Sequence, residues 1–309
     1  MEELDIVIVG GGIAGLATSL ALHRKGIKSI VLERSESVRS EGAAFGIQTN
    51  GWRALQQLGV ADKLRLNSLP IHQIRDVMIE KNIKQRESVG PASHGEVRCV
   101  IRNDMVRALA HALPVGTLRL GSQIVSVKLD EATSFPIVHL RNGQDIKAKV
   151  LIGCDGSNSI VSKFLGLNPT KALGSRAVRG FTNYPNGHVF QQEFIRIKMD
   201  NVVSGRLPIT RNLVFWFVVM LKCPQVDKEL LCANDSNFGL HQLLLLAMPL
   251  FDSSLQTVDE ASFSALLFTI NFSFFLTVDK KLLCANDRFF NLALHQSPIS
   301  NDFTSTVSL

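Results

Sequence analysis

Three glycines and one acid carry the first chemistry legible in this chain. Gly10, Gly12 and Gly15 stand in the order G-x-G-x-x-G, and Glu33 lies 18 residues beyond Gly15. A glycine at 10 permits a tight turn. A glycine at 12 lets a pyrophosphate approach the backbone, and one at 15 lets a helix pack closely on a strand. The N–H groups and positive dipole end of that helix would then face phosphates. A carboxylate at Glu33 can accept hydrogen bonds from ribose hydroxyls. It would also repel a 2′-phosphate, which favours FAD or NAD over NADP.

A lone glycine pattern occurs in many unrelated turns, so the elements around it decide. Residues 5–9 form a nearly continuous apolar, β-branched run, the signature of a strand buried on both faces in a parallel sheet. A helix is predicted over 13–25, with Gly26 as its stop, and a second buried strand over 29–32 that ends at Glu33. Strand, glycines, helix, strand and acid thus fall in the order that a dinucleotide site requires. A second signal comes later. Residues 149–153 read as another buried strand, followed by Asp155-Gly156 and a helix over 159–165. Before it, 136–140 and 144–148 flank Arg141-Asn142-Gly143, an Asn-Gly hairpin signal. Taken alone, Asp155-Gly156 is a turn with a helix cap.

Composition bounds the rest. The chain has 309 residues, 46% hydrophobic and 19% charged, which excludes wholesale disorder. The five cysteines (Cys99, Cys154, Cys223, Cys232, Cys284) form no CxxC pair and have no histidines at ligand spacing. Neither a disulfide framework nor a metal site is expected. The start, Met1-Glu2-Glu3-Leu4-Asp5, is acidic and fits neither a signal nor a transit peptide, so the expectation is a cytoplasmic protein. The longest apolar stretch, 265–278, is 14 residues, short of the ~18–20 that span a bilayer. No stable membrane span is expected. The net charge of +6 is uneven: residues 224–309 carry four Lys/Arg and nine Asp/Glu, leaving +11 on residues 1–223. The basic residues are scattered, with no aromatic-interleaved stripe, so nucleic acid is not the expected partner. A dianionic cofactor suits such a field.

Taken together, Gly10/Gly12/Gly15 with Glu33, and Cys154-Asp155-Gly156, resemble the FAD-dependent aromatic-ring hydroxylases with the p-hydroxybenzoate hydroxylase fold. The resemblance is nearest to plant salicylate-hydroxylase-like and zeaxanthin-epoxidase-like members, and it covers residues 3–222. Stretches 42–59, 100–105 and 214–219 fit the same pattern. It implies an α/β fold: a doubly wound Rossmann-type FAD-binding domain over 1–70 and 95–170, with a partial mixed β substrate domain over 71–94 and 171–222. The alternation of Phe181, Phe190, Phe194 and Ile195 suggests strands of that second sheet. It implies FAD as cofactor, NAD(P)H as co-substrate, and oxygen transfer to a small aromatic or hydrophobic molecule, without a catalytic triad. Carried over by motif, Gly10, Gly12, Ala14 and Gly15 would line the pyrophosphate and Glu33 would hold the ribose. Arg102 would approach the flavin's ribityl–phosphate side, and Asp155 with Gly156 the ribityl or pyrophosphate region. Arg34 and Arg39 would be alternatives for phosphate neutralisation. No individual catalytic residue is assigned.

The family's third fingerprint, a Gly-Asp followed by an Ala-Ala-His-Pro-like run, has no counterpart. Residues 160–309 contain no Gly-Asp dipeptide. Instead, 226–235 recurs as 278–287 with nine of ten positions identical. Two copies cannot make a solenoid, which needs at least three. Residues 223–309 read as an atypical replacement segment with a local duplication and no assignable fold, which leaves a second reading open: a truncated, catalytically impaired FAD-binding relative, or a non-catalytic interaction protein.

Overall fold

The computed structural model describes residues 1–38, 43–79, 85–169, 174–221 and 305–308. Arg39, Gly42 and both copies of the duplicated stretch lie outside the described residues. The chain divides into two compact units. One comprises Met1–Ser68 and Gly95–Leu173, the other Leu69–His94 and the chain from Gly174 onward.

The first unit is built on a six-stranded sheet. In chain order it contains β1 (Glu2–Val9), α1 (Ile13–Arg24), β2 (Ile30–Leu32), β3 (Ala44–Ile47), α2 (Thr49–Gln57) and α3 (Ala61–Arg65). After the excursion through β4 (Gln73–Ile79) and β5 (Gln85–Pro91) come β6 (Arg98–Ile101), α4 (Arg102–His111), β7 (Leu118–Arg119), β8 (Ile124–Leu129), β9 (Pro136–Leu140), β10 (Asp145–Gly153) and α5 (Ile160–Phe164). The sheet order is β7-β2-β1-β10-β9-β8. β1 is parallel to both β2 and β10, while β9 and β8 continue the sheet antiparallel. Val7, Ile8 and Val9 are buried, as the uninterrupted apolar run requires of a central strand. Helix α1 turns Leu16 and Leu20 into a core with Trp52, Leu55, Met105, Val106 and Leu109. Burial of each such side chain contributes about 1.5–3 kcal/mol.

Two strands expected separately, over 144–148 and 149–153, are one. β10 runs unbroken for nine residues, with Asp145–Lys147 on β9 and Ile146–Gly153 along β1. Ala148-Lys149 carries no turn residue, so nothing interrupts the strand. The Asn-Gly turn before it does form, with Gly143 at φ 84°.

The second unit is a seven-stranded mixed sheet. Its remaining strands are β11 (Arg176–Asn183), β12 (Glu193–Met199), β13 (Val202–Pro208), β14 (Leu213–Met220) and β15 (Ser305–Ser308), in the order β15-β11-β14-β13-β12-β4-β5. β12 and β4 are parallel; the other pairs are antiparallel. Phe181 lies on β11, and Phe194 and Ile195 on β12, as expected. Phe190 does not lie on a strand. It sits in the β11–β12 connection, with its ring 3.8 Å from the Arg206 guanidinium. Among the described residues no helix is long and apolar enough to cross a membrane.

One carboxylate ties together the places where the chain leaves and re-enters the first unit. Glu96 Oε1 accepts from Arg98 Nε (2.7 Å) and Arg65 Nε (2.9 Å), and its Oε2 accepts from Arg65 Nη2 (2.8 Å). Arg98 Nη1 donates to the Ser68 carbonyl at 2.5 Å. The bond from Arg65 is the largest cause holding the Glu96 carboxyl below its usual range. The folded state therefore favours the ionised form more than the unfolded chain does. That stabilisation is present at neutral pH and is lost as pH falls through the lowered value. Glu96→Ala should lower stability at pH 7 by about 1–3 kcal/mol, since it takes the acceptor from Arg98 Nε and from Arg65 Nε and Nη2. Denaturant titrations should show this gap closing below the usual glutamate range.

Candidate FAD site

The glycine turn sits where the sheet reverses direction. From β1, the α1 crossover leads to β2 on one side, while β10 lies on the other. Beyond the carboxyl ends of these three parallel strands is the crevice in which open α/β sheets bind ligands. Gly10 N–H donates to the Leu32 carbonyl (2.8 Å) and Cys154 N–H to the Val9 carbonyl (2.7 Å). These bonds join the ends of β1, β2 and β10.

The three glycines do three different jobs. Gly10 has φ 106°, and a Cβ there would meet the Cys154 carbonyl oxygen at 2.3 Å. A Cβ on Gly15 would lie 1.9 Å from the Gly10 carbonyl oxygen. Both positions are closed by backbone. Gly12 differs: it is the N-cap of α1 in extended conformation, and a Cβ there meets nothing within 4 Å. The space above Gly12 is open, and the first turn of α1 has neither an acidic residue nor a side-chain cap. The leading N–H groups of a helix have no intrahelical acceptor. Together with the dipole they form a cradle for an anion. Ala14 is exposed on that turn. The residues present fit a dinucleotide pyrophosphate.

Glu33 follows β2 and is already engaged. Its Oε2 accepts from Gly11 N–H at 2.6 Å and its Oε1 from Ser35 N–H at 2.9 Å. Each oxygen keeps a further lone pair for a ribose hydroxyl. Gly11 and Ser35 were not singled out in the sequence. Their signal was the run of three glycines, because a Cβ at Gly11 would lie 2.8 Å from Glu33 Cβ. Glu33→Ala leaves two backbone donors without an acceptor. It should cost about 1–3 kcal/mol in stability and weaken FAD binding roughly tenfold or more, read by thermal denaturation and flavin-fluorescence titration.

Asp155 lies against the glycine turn, its Cα 3.0 Å from where a Gly10 Cβ would be. Its Oδ1 accepts from Ser159 Oγ (2.5 Å) and its Oδ2 from Ile160 N–H (2.6 Å). Ser159 Oγ accepts in turn from Ser162 N–H at 2.9 Å. The carboxylate thus caps the start of α5, and it fixes the loop that carries Gly156 (φ 81°) beside the crevice. Cys154, between the two motifs, is half-buried; burial is the main cause that raises its thiol pKa, partly offset by a hydrogen bond with Thr18. Arg34 is exposed just after β2. Arg102 opens α4, with its N–H on the Ala43 carbonyl at 3.1 Å. What ties it to the turn is the packing of α4 on α1. The structure therefore brings Gly10, Gly12, Gly15, Glu33, Asp155 and Gly156 to one place, with Arg102 on a neighbouring helix.

The FAD binding domain family model matches residues 3–190. The chain belongs to that family. The FAD-binding domain so identified contains both motifs. The chain is 66% identical over 222 residues to Monooxygenase 1 of Arabidopsis thaliana, covering 72% of this chain and 55% of that protein. It is 40% identical over 226 residues to Monooxygenase 2 of the same plant, covering 73% and 55%. It thus spans about half the length of these curated relatives. Among solved structures, Klebsiella pneumoniae HpxO complexed with FAD and uric acid matches with a TM-score of 0.61 at 17% identity, covering 73% of this chain and 58% of that one. That likeness supports the fold of the FAD-binding domain.

Proposed function

We propose that this chain is the flavin-binding part of an FAD-dependent monooxygenase. The overall reaction would be substrate–H + O2 + NAD(P)H + H⁺ → substrate–OH + NAD(P)⁺ + H2O, or the corresponding epoxidation. The observation that carries this reading is the meeting of the open Gly12 cradle, the held Glu33 carboxylate and the Asp155-Gly156 loop at one switch point. FAD, when bound, supplies the redox chemistry, accepting hydride from NAD(P)H and activating O2. The protein's own part is to bind and orient. Gly10 and Gly15 shape the turn, Gly12 and Ala14 admit the pyrophosphate, and Glu33 holds the ribose. Asp155 acts through the loop it caps, and Gly156 leaves that loop without a side chain. Arg34 and Arg102 supply positive charge to the phosphates.

The substrate, a small aromatic or hydrophobic molecule, would lie on the second unit. Ser204 and Arg206 on β13, Trp216 on β14 and Thr182 on β11 share one face of its sheet by register. On that face Thr182 Oγ1 and Ser204 Oγ, and in the β11–β12 connection His188 Nδ1 and Gln192 Oε1, are buried without a hydrogen-bond partner among the described residues. Buried polar atoms are normally satisfied, and those without a protein partner are available to the polar groups of a ligand. Uric acid, bound in the Klebsiella structure, is of this polar aromatic kind.

The test is oxidation of NADH or NADPH by the purified chain supplied with FAD, with and without aromatic acids and phenols. Stimulated oxidation together with a hydroxylated product supports the reading. Flavin uptake without any stimulated oxidation gives the second reading, an FAD-binding relative that does not hydroxylate. The absence of Gly-Asp from 160–309 is the observation that favours this second reading.

A further inference from the structure

The connection from β11 to β12 holds a histidine whose two ring nitrogens are in opposite situations. His188 Nε2 lies 2.7 Å from the Thr210 carbonyl oxygen. A carbonyl only accepts, so Nε2 carries a proton. The ring is held on several sides. It stacks on Phe190 (centroids 5.3 Å apart, 27°), and Tyr184 meets it edge-on at 5.9 Å. The main chain is pinned by His188 N–H on the Arg211 carbonyl at 3.0 Å. The charged groups nearby are Arg206, against the far ring Phe190, and Glu193, 3.8 Å from Arg206. Burial, first, and the charge of Arg206 push the His188 pKa down; the Thr210 and His188 carbonyls oppose them. The ring is therefore neutral at pH 7, and Nδ1 bears a lone pair. That lone pair is buried and has no donor among the described residues. It is also fixed in direction, because ring and backbone are both held.

We propose that His188 Nδ1 is the hydrogen-bond acceptor for an O–H or N–H donor on the aromatic molecule bound to this face, which makes His188 a specificity-determining residue. The matching ligands are phenols and N–H heteroaromatics, as opposed to their O- or N-methylated counterparts. Gln192 Oε1, in the same connection, is a second buried acceptor without a partner among the described residues. This inference rests on the proposed function in taking the ligand to be an aromatic substrate.

The test uses the whole chain with catechol and its dimethyl ether as probes. Binding is followed by calorimetry, and the histidine ring by long-range 1H–15N spectra of the His188 signal. The expected results are an Nε2–H tautomer in the free protein and an upfield move of the Nδ1 signal with catechol but not with the ether. Catechol should be preferred by roughly tenfold. His188→Phe keeps the ring stack and should lose that preference. His188→Asn offers a carbonyl oxygen near the Nδ1 position and should retain part of it. An Nδ1–H tautomer, equal binding of the two probes, no binding of either, or an unchanged preference in His188→Phe would each overturn the assignment. FAD uptake, titrated in parallel, separates the two readings. A preserved catechol preference without flavin uptake removes the flavin reading and leaves His188 in place. Flavin uptake without the preference does the reverse.

Discussion

Gly15→Ala is expected to abolish flavin uptake and to destabilise the first unit. The added methyl would sit 1.9 Å from the Gly10 carbonyl oxygen, and its next neighbours are the Gly10 carbonyl carbon and Cys154 Cβ. No flexible side chain can yield, so α1 must move away from the β1 turn. That movement disturbs the bonds that join Gly10 to Leu32 and Cys154 to Val9. It also disturbs the packing of Leu16 and Leu20, which are buried in the core shared with α4. Overpacking of this kind costs typically about 1–3 kcal/mol. The cradle distorts with it, so the loss of FAD affinity should reach roughly a hundredfold or more. Thermal denaturation of the chain without added flavin, followed by flavin titration, measures both effects.

Gly12→Val should separate what Gly15→Ala confounds. Gly12 has φ −78°, which any L residue adopts, and open space where its side chain would go. The variant should therefore fold with a stability close to that of the parent, within about 1 kcal/mol, the cost of valine as a poorer N-cap than glycine. Yet the valine would fill the volume that a pyrophosphate must enter to reach the N–H groups of α1. FAD affinity should fall by roughly a hundredfold or more. Stability retained with binding lost is the signature of a ligand cradle. If Gly12→Val bound FAD as the parent does, the cofactor would not lie over this turn.

The strand–turn–helix around Gly10, Gly12 and Gly15 was legible because its signals are local. An unbroken β-branched run, the glycines and a stop at Gly26 all act within a few residues. Glu33 was legible by spacing alone, but its bonds to Gly11 and Ser35 were not, because they depend on how two loops meet. The split of β10 into two strands comes from two local signals, a buried apolar run over 149–153 and an Asn-Gly hairpin signal before 144–148. Only the pairing shows that one strand serves both β9 and β1. Phe190 was taken for a strand residue from alternation, whereas its contact with Arg206 crosses elements. Asp155 illustrates the limit most clearly. The sequence offered a helix cap or a cofactor contact, and the structure shows a cap placed against the glycine turn. The buried polar face of the second unit was invisible in the sequence, because register across three strands assembles it. The local charge of +11 over residues 1–223 was visible from the start, and an anionic cofactor at the switch point accounts for part of it.

The central claim is that the switch point of the first unit holds FAD. The absorbance spectrum of the purified chain, recorded before and after addition of FAD and removal of the excess, tests it most directly. A retained flavin spectrum in the parent chain, lost in Gly12→Val at equal stability, is the predicted result. A colourless chain that takes up no flavin, while folded, would contradict it.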